Sequence, residues 1–406
     1  MSFSSMNCDS KKVGIIGGGQ LALMLTEAAI RMGLLPLILT EDAHSPISQC
    51  YPHFLCGTSR DEKALEQLFS QVHLVIFENE FVDCELLERV SRNSSRFFPS
   101  LKVIATFQDK LKQKHLLQKL DIPNAKFRLL DNIHHAEDFQ QQVSEAMAFF
   151  EGSCVLKWSR MGHDGKGVLF LDSSSEEKQK IETFRSEALK RQSSIYAEQK
   201  IDFKRELALI SVHSINGDFV TYPLVITEQV GGICVRVKGP ATALGVSAEF
   251  ELLAQRYARR IAQTSELVGT FAIEFFETSS GELWVNELAP RVHNSGHFTQ
   301  NACNTDQFEN HWRAILGMPL GSVDSQACFA MLNILGAKGD SSQDHLPLPG
   351  SRSHLHWYHK RETPPGRKLG HLNGVAKSPE DIEGLLNEMD HSNKEWLRRK
   401  KNEPNS

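Results

Sequence analysis

The chain has 406 residues, 40% of them hydrophobic and 23% charged, which allows several domains with sizeable cores and is the balance of a water-facing protein. A formal net charge of -5 gives no polyanion footprint, so nucleic acid is not an indicated partner, although local Lys and Arg clusters can still hold phosphate. The cysteines form no Cys-x-x-Cys pair or zinc spacing, and neither a signal peptide nor a membrane span is expected, which suits a reducing cytoplasm.

Lys12 to Ile16 reads as an apolar strand running into Gly17-Gly18-Gly19-Gln20-Leu21-Ala22, then a helix with Leu21, Leu25, Ala28 and Ala29 on one face. A glycine turn at a helix start lets backbone N–H groups approach a phosphate. Leu34 to Thr40 is a second strand ending at Glu41-Asp42, so the segment also fits the Gly-x-Gly-x-x-Ala pattern of a nicotinamide site. Leu65 to Phe69 is helical, and Val72 to Phe77 is a buried parallel strand delivering Glu78-Asn79-Glu80 where α/β sites form. Alternatively, that acid pair complements the dipole of a helix at Cys84 to Val90.

Gln108 to Leu120 is a basic amphipathic helix opening a new domain, with Lys112, Lys114 and Lys119 expected on its solvated face. Cys154 to Trp158 is a strand carrying Lys157, followed by Gly162-His163-Asp164-Gly165-Lys166-Gly167. Such glycines let backbone amides and a lysine close over a triphosphate; taken alone, the loop is equally a plain turn. Ser173 to Gln192 is a polar helix or loop, and Ile195 to Ile201 and Arg205 to Val212 are strands that on their own suggest a surface hairpin. Thr221 to Val225 continues the sheet, and Ala248 to Ser265 is a helix whose Phe250, Leu253, Tyr257 and Ile261 stripe belongs to a core.

Phe271 to Phe276 and Trp284 to Ala289 flank the turn Ser279-Ser280-Gly281, an antiparallel hairpin. It would present Glu274 and Glu287, with Asn286 beside the second, as hard oxygen ligands suited to magnesium. Strand glutamates more often face solvent, but the loop that follows is polar and sits at a strand end, offering Arg291, His293 and Asn294 as an anion clamp. Thr305 to Leu316 is a helix with Phe308, Trp312 and Ile315 inward, Met331 to Gly336 a strand, and residues 337–346 a polar linker. Two further strands around a cationic turn gather Lys360, Arg367 and Lys368 as a grip for a phosphate monoester.

The run Asn286-Glu-Leu-Ala-Pro-Arg-Val-His-Asn-Ser-Gly-His297, with Gln307-Phe308-Glu309 and Arg313-Ala314, resembles the 5-(carboxyamino)imidazole ribonucleotide synthetases of purine biosynthesis, within the ATP-grasp superfamily; weaker resemblance spans Val13 to Gly374. It implies a mixed α/β and α+β architecture. A Rossmann-like preATP-grasp domain is expected over 1–105, an ATP-grasp lid over 106–192, an ATP and metal domain over 193–340, and a β-rich hairpin region and tail over 341–406. The implied enzyme is a cytoplasmic, homodimeric carbon–nitrogen ligase using magnesium or manganese, with ATP as co-substrate. Bicarbonate becomes carboxyphosphate, which carboxylates the exocyclic amine of 5-aminoimidazole ribonucleotide and leaves ADP and phosphate; no fused mutase domain is expected.

By the same resemblance Lys110 and Lys157 steady the ATP phosphates under the loop of Gly162, His163, Asp164, Gly165, Lys166 and Gly167. Glu198, Gln199, Lys200 and Ile201 form the adenine hinge, Glu206 meets the ribose, and Gln229, Asn286 and Glu287 complete the ATP site, with Glu274 and Glu287 on the metal. The ribonucleotide falls to Gly19, Gln20, Leu21, Glu78, Glu80, Asp164, Lys166, Lys360, Arg367 and Lys368, and bicarbonate to Arg291, His293 and Asn294. The chain departs from the family pattern at Ala22-Leu23, Met161, His163, Gln229 and Pro364. A paralogue with another amine acceptor, or an ATP-binding regulator without turnover, therefore remain alternatives.

Overall fold

The computed structural model describes residues 12–92, 94–162, 165–172, 178–325, 327–337 and 346–402, the last five by backbone alone. Five short parallel strands come first: β1 (Val13–Ile16), β2 (Leu37–Thr40), β3 (Phe54–Cys56), β4 (Leu74–Phe77) and β5 (Arg96–Phe98), in the order β3-β2-β1-β4-β5. The apolar runs of the inner strands β1, β2 and β4 are largely buried because helices cover the sheet, as a parallel sheet requires. The strand order turns at β1 and β4, so the loops leaving those two strands frame a crevice.

A smaller antiparallel sheet follows, with β6 (Phe127–Leu130), β7 (Ser153–Trp158), β8 (Val168–Asp172) and β9 (Ile195–Gln199) in the order β6-β9-β7-β8. Alternation sends Cys154, Leu156, Trp158, Ile195 and Ala197 into a core with the helices Ala136–Phe149 and Lys178–Lys190. The intervening Val155, Lys157 and Glu198 therefore face the other way, onto a cavity. Two boundaries differ from the sequence expectation. β9 belongs to this lid through its pairing with β6 and β7. The helix Lys110–Lys119 instead packs on the larger sheet, through Leu117 against Val285 and Leu288.

That larger sheet comprises β10 (Phe203–His213), β11 (Phe219–Thr221), β12 (Val225–Val230), β13 (Ile233–Gly239), β14 (Gly269–Thr278), β15 (Leu283–Ala289), β16 (Cys328–Leu335), β17 (Ser353–Trp357) and β18 (Lys368–Ala376). Their order is β15-β14-β10-β12-β13-β16-β18-β17, with β11 on β10. The C-terminal hairpin is thus no separate sheet, since β18 pairs with β16 along its length. On one face, helix Ala248–Ser265 buries Tyr257 and Ile261 against Leu207, Phe271 and Ile273. On the first domain's side, helix Gln307–Ile315 places Phe308, Trp312 and Ile315 in a core shared with Val13, Leu25 and Ala28. Trp312 Nε1 donates to Leu25 O at 2.8 Å. Shared apolar burial and a buried hydrogen bond fix the first domain to the large sheet. No helix among the described residues is long and apolar enough to cross a membrane, and the described cysteines are free thiols.

Candidate active site

The β14–β15 ladder sets Glu274 directly opposite Glu287, then slips so that Phe275 opposes Val285. Asn286 is the extra residue of this bulge. In a regular strand Asn286 and Glu287 would face opposite ways; the bulge turns both onto one cavity. Ala272, Glu274 and Phe276 share that face of β14, while Phe271, Ile273 and Phe275 point into the core. The cavity, of about 780 Å³, lies where the large sheet, the lid and the first domain converge.

Lys110 forms an ion pair with Glu287, held in place by a 2.7 Å bond from its own N–H to Ser159 O. Burial works to raise the Glu287 carboxyl, but Lys110, Lys157 and Arg291 outweigh it and hold it below the usual range. Glu274 behaves oppositely: burial first, then the facing Glu287 and Glu206, push it from 4.5 to about 7. Two facing carboxylates, one of them raised to about 7 partly by the other's charge, suit a divalent cation. Among the described residues no three acidic, His or Cys side chains gather as a metal cage. The protein would therefore supply Glu274, Glu287 and the Asn286 amide oxygen, and a nucleotide's phosphates the remaining oxygens, which is how magnesium is commonly held.

Behind this pair, Glu198 ion-pairs with both Lys157 and Lys114. Lys114 departs from its expected solvated position: it is 3% exposed, with Nζ 3.0 Å from Glu198 Oε2 as an ion pair. One helical turn beyond Lys110, it shares that residue's inward face, whereas Lys112 and Lys119 are exposed. Burial would raise Glu198, yet the two lysines bring it down to about 2. Gln199, Lys200, Ile201, Glu206 and Gln229 continue the wall. Burial raises the Glu206 carboxyl. Phe203 and Phe276 stack here at 4.6 Å and 19°, and Phe170 closes the lid side. The sequence does not single out these rings as a binding wall; period-two alternation from Glu274 was the available signal for Phe276.

In the lid loop, Gly162, Gly165 and Lys166 reach the wall, and Gly167 is set back against Trp158. His163 and Asp164 lie outside the described residues. At Gly165, φ is +76° and a Cβ would come 2.5 Å from Gly231 O, so only glycine lets this loop lie on the β12–β13 turn.

Arg291 meets Glu80 with two N–H groups, Nε to Oε2 at 2.6 Å and Nη2 to Oε1 at 3.4 Å, joining the large sheet to the end of β4. The His293 backbone is clamped by Gln307, whose Oε1 accepts from His293 N at 2.9 Å and whose Nε2 donates to His293 O at 2.8 Å. His293 Nε2 lies 3.8 Å from Glu274 Oε1, and Asn294 lines the wall beside them.

In the first domain Glu78 accepts from Gly19 N at 2.6 Å and Leu21 N at 3.3 Å. It therefore serves the start of helix Gln20–Arg31, not the helix at Cys84, which Asp83 caps instead. A Cβ on Gly19 would fall 2.1 Å from Glu78 Oε1. The carboxylate fills the spot where a dinucleotide's pyrophosphate would sit, which argues against the nicotinamide reading. Gln20, Leu21, Glu78 and Glu80 line the cavity; Gly19 contributes its N–H to Glu78 from behind. Of the three C-terminal cations expected to gather, Lys360 and Lys368 face inward and Arg367 does not. Burial raises the cavity carboxylate Glu78, and Lys360 acts on it to lower it. Lys368 reaches the wall, Lys360 is buried with its Nζ 5.6 Å from the Tyr358 ring centroid, and Arg367 faces Glu362 at 3.4 Å, outward.

Residues 10–127 match the ribonucleotide synthetase preATP-grasp domain family, 115–308 the ATP-grasp domain family, and 330–384 the phosphoribosylaminoimidazole carboxylase C-terminal domain family. The N5-carboxyaminoimidazole ribonucleotide synthase of Synechococcus elongatus is 36% identical over 367 residues, covering 89% of this chain and 88% of its own. The phosphoribosylaminoimidazole carboxylase of Ogataea methanolica is 34% identical, covering 93% of this chain and 69% of its own. Two crystal structures of the Aspergillus clavatus carboxyaminoimidazole ribonucleotide synthase superpose well. The ATP complex has a TM-score of 0.85 at 32% identity, over 95% of this chain and 99% of that one. The complex with ADP and 5-aminoimidazole ribonucleotide has a TM-score of 0.82 at 31% identity, with the same 95% and 99% coverage. With three consecutive domain matches and such identity along nearly the whole length, the chain belongs to the N5-carboxyaminoimidazole ribonucleotide synthase family of ATP-grasp ligases.

Proposed function

We propose that this chain uses ATP and bicarbonate to carboxylate the exocyclic amine of 5-aminoimidazole ribonucleotide, through carboxyphosphate, with release of ADP and phosphate. The observation that carries this reading is the convergence on one cavity of Glu274 facing Glu287, the cations Lys110, Lys157 and Arg291, and a glycine-bearing lid loop. Adenine lies against Phe203 and Phe276 beside Gln199 to Ile201, and Glu206 meets the ribose. Lys110 and Lys157, which pair with Glu287 and Glu198, steady the phosphates. Glu274, Glu287 and Asn286 hold a magnesium ion, which when bound neutralises charge on the transferring phosphoryl group.

Bicarbonate sits at Arg291, His293 and Asn294. Glu80 holds the Arg291 guanidinium in its plane, so catalysis is positioning and charge stabilisation without a covalent nucleophile. The ribonucleotide amine enters from the crevice between β1 and β4, with Gln20, Glu78 and Glu80 on one side and Lys368 on the other. Ala22 and Leu23, where the chain departs from the family pattern, are buried in the first domain's core, and Pro364 is exposed. None of the three lines the cavity, and Gln229, a departure that does, stands among the residues assigned to ATP, which speaks for the family's own acceptor over a different amine. A cytoplasmic homodimer belongs to the same proposal, and light scattering of the purified chain checks the dimer.

The test is phosphate release from ATP with bicarbonate, with and without 5-aminoimidazole ribonucleotide, using Glu287→Ala as blank. Strong stimulation by the ribonucleotide, lost in the variant, is expected. Bicarbonate-dependent release indifferent to it would point to another acceptor, and no release to a regulator.

A further inference from the structure

We propose that Asn333, a residue of β16 that is 2% exposed and off the cavity wall, is a positioning residue that fixes Asn294 as a hydrogen-bond donor to the bound oxyanion. The inference deepens the reaction proposed above and rests on it. Asn333 interrupts the apolar run Met331-Leu332-Asn333-Ile334-Leu335. A buried amide there is costly unless its hydrogen bonds are met, and here they are.

The chain of reasoning starts from a carbonyl. The β13–β16 ladder starts at Arg236 and Leu332, leaving Cys234 O beyond it. A carbonyl oxygen can only accept, so the group of Asn333 that lies 2.9 Å from Cys234 O is its amino end, Nδ2. The same Nδ2 is 2.7 Å from Asn294 Oδ1, and Asn294 Nδ2 is 3.1 Å from Asn333 Oδ1. Flipping one amide would oppose donor to donor and acceptor to acceptor; flipping both would turn Asn333 Oδ1 onto Cys234 O. The backbone carbonyl thereby orients both side chains.

The hydrogen count then gives the function. Asn333 uses both N–H groups, on Cys234 O and on Asn294 Oδ1. Asn294 uses one N–H on Asn333 Oδ1, and its second remains at the wall it shares with Arg291 and His293. An N–H there attracts an oxyanion, whereas a flipped amide would present Oδ1 and repel it. Asn333 touches no substrate and acts only through Asn294.

The test compares Asn333→Leu, Asn294→Ala and the double variant by phosphate release at varied bicarbonate and ATP. Asn333→Leu is expected to raise the KM for bicarbonate about tenfold, the loss of one hydrogen bond to a charged group, while the KM for ATP stays within about twofold. In the Asn294→Ala background the same substitution should change the bicarbonate KM little, because its route is already cut. An equal rise in both backgrounds, or a matching rise in the ATP KM, would overturn the proposal. Asn333→Ser, smaller and polar, supplies the same comparison if the leucine variant does not fold. A wild-type protein without bicarbonate-dependent release would refute the reaction itself. The side-chain amide resonances of Asn294 would then decide on Asn333, since they must shift and exchange faster in the Asn333 variants if the clamp exists.

Discussion

Glu198 stands between two lysines, and removing it should damage the protein more than removing Lys114, its partner. The cluster of Lys114, Lys157 and Glu198 carries two positive charges and one negative. Glu198→Gln leaves two buried cations without an anion, whereas Lys114→Met leaves the matched pair Lys157–Glu198. The fall of the Glu198 carboxyl from 4.5 to about 2 corresponds to about 3 kcal/mol at neutral pH, within the range for stripping one partner from a buried ion pair. Lys114→Met should cost about 1 kcal/mol, since Glu198 keeps Lys157 as its counter-charge. Because the carboxyl is depressed in the folded protein, its stabilisation is complete above 4.5 and lost as pH falls towards 2. Urea unfolding at pH 7 and pH 3.5 reads both effects: the Glu198→Gln deficit should shrink from about 3 to about 2 kcal/mol on acidification. Equal losses from the two variants at pH 7, or a deficit indifferent to acid, would refute the charge account.

Three other substitutions separate neighbouring roles. Phe276→Ala removes half of the stacked pair with Phe203 and should raise the KM for ATP roughly three- to tenfold with kcat little changed, as measured by initial rates. Lys368→Ala should raise the KM for the ribonucleotide at least about tenfold, while Arg367→Ala, whose side chain faces outward to Glu362, should change it less than about twofold. Glu274→Gln removes one of the two facing carboxylates and should raise the magnesium needed for half-maximal phosphate release at least about tenfold, with chelator abolishing release in both proteins.

What the sequence displays and what it conceals divide along the distance between partners. Glu274, Glu287 and the loop to His297 are legible because a single hairpin and its exit carry them, and turn residues plus alternation suffice to align them. The bulge at Asn286 is not legible, since a register slip depends on both strands at once. Lys114 has the surroundings of a solvated lysine in its own helix; its burial comes from Glu198, in a lid strand that the helix reaches only in three dimensions. β9 falls on the lid side of the expected boundary for the same reason, its neighbours β6 and β7 being set by packing. The glycine turn after β1 is consistent with two ligand classes until β4 delivers Glu78 to its N–H groups, 59 residues away. The interactions that decide the chemistry join parts far apart in sequence: Glu80 with Arg291 and Lys114 with Glu198 cross between domains, and Lys110 with Glu287 ties a helix to the large sheet it packs on. Each neutralises a charge too costly to bury alone, so the cavity and the junction of the domains are formed by the same residues. A substitution chosen to alter catalysis at those positions will also be read as a change in how the domains hold together.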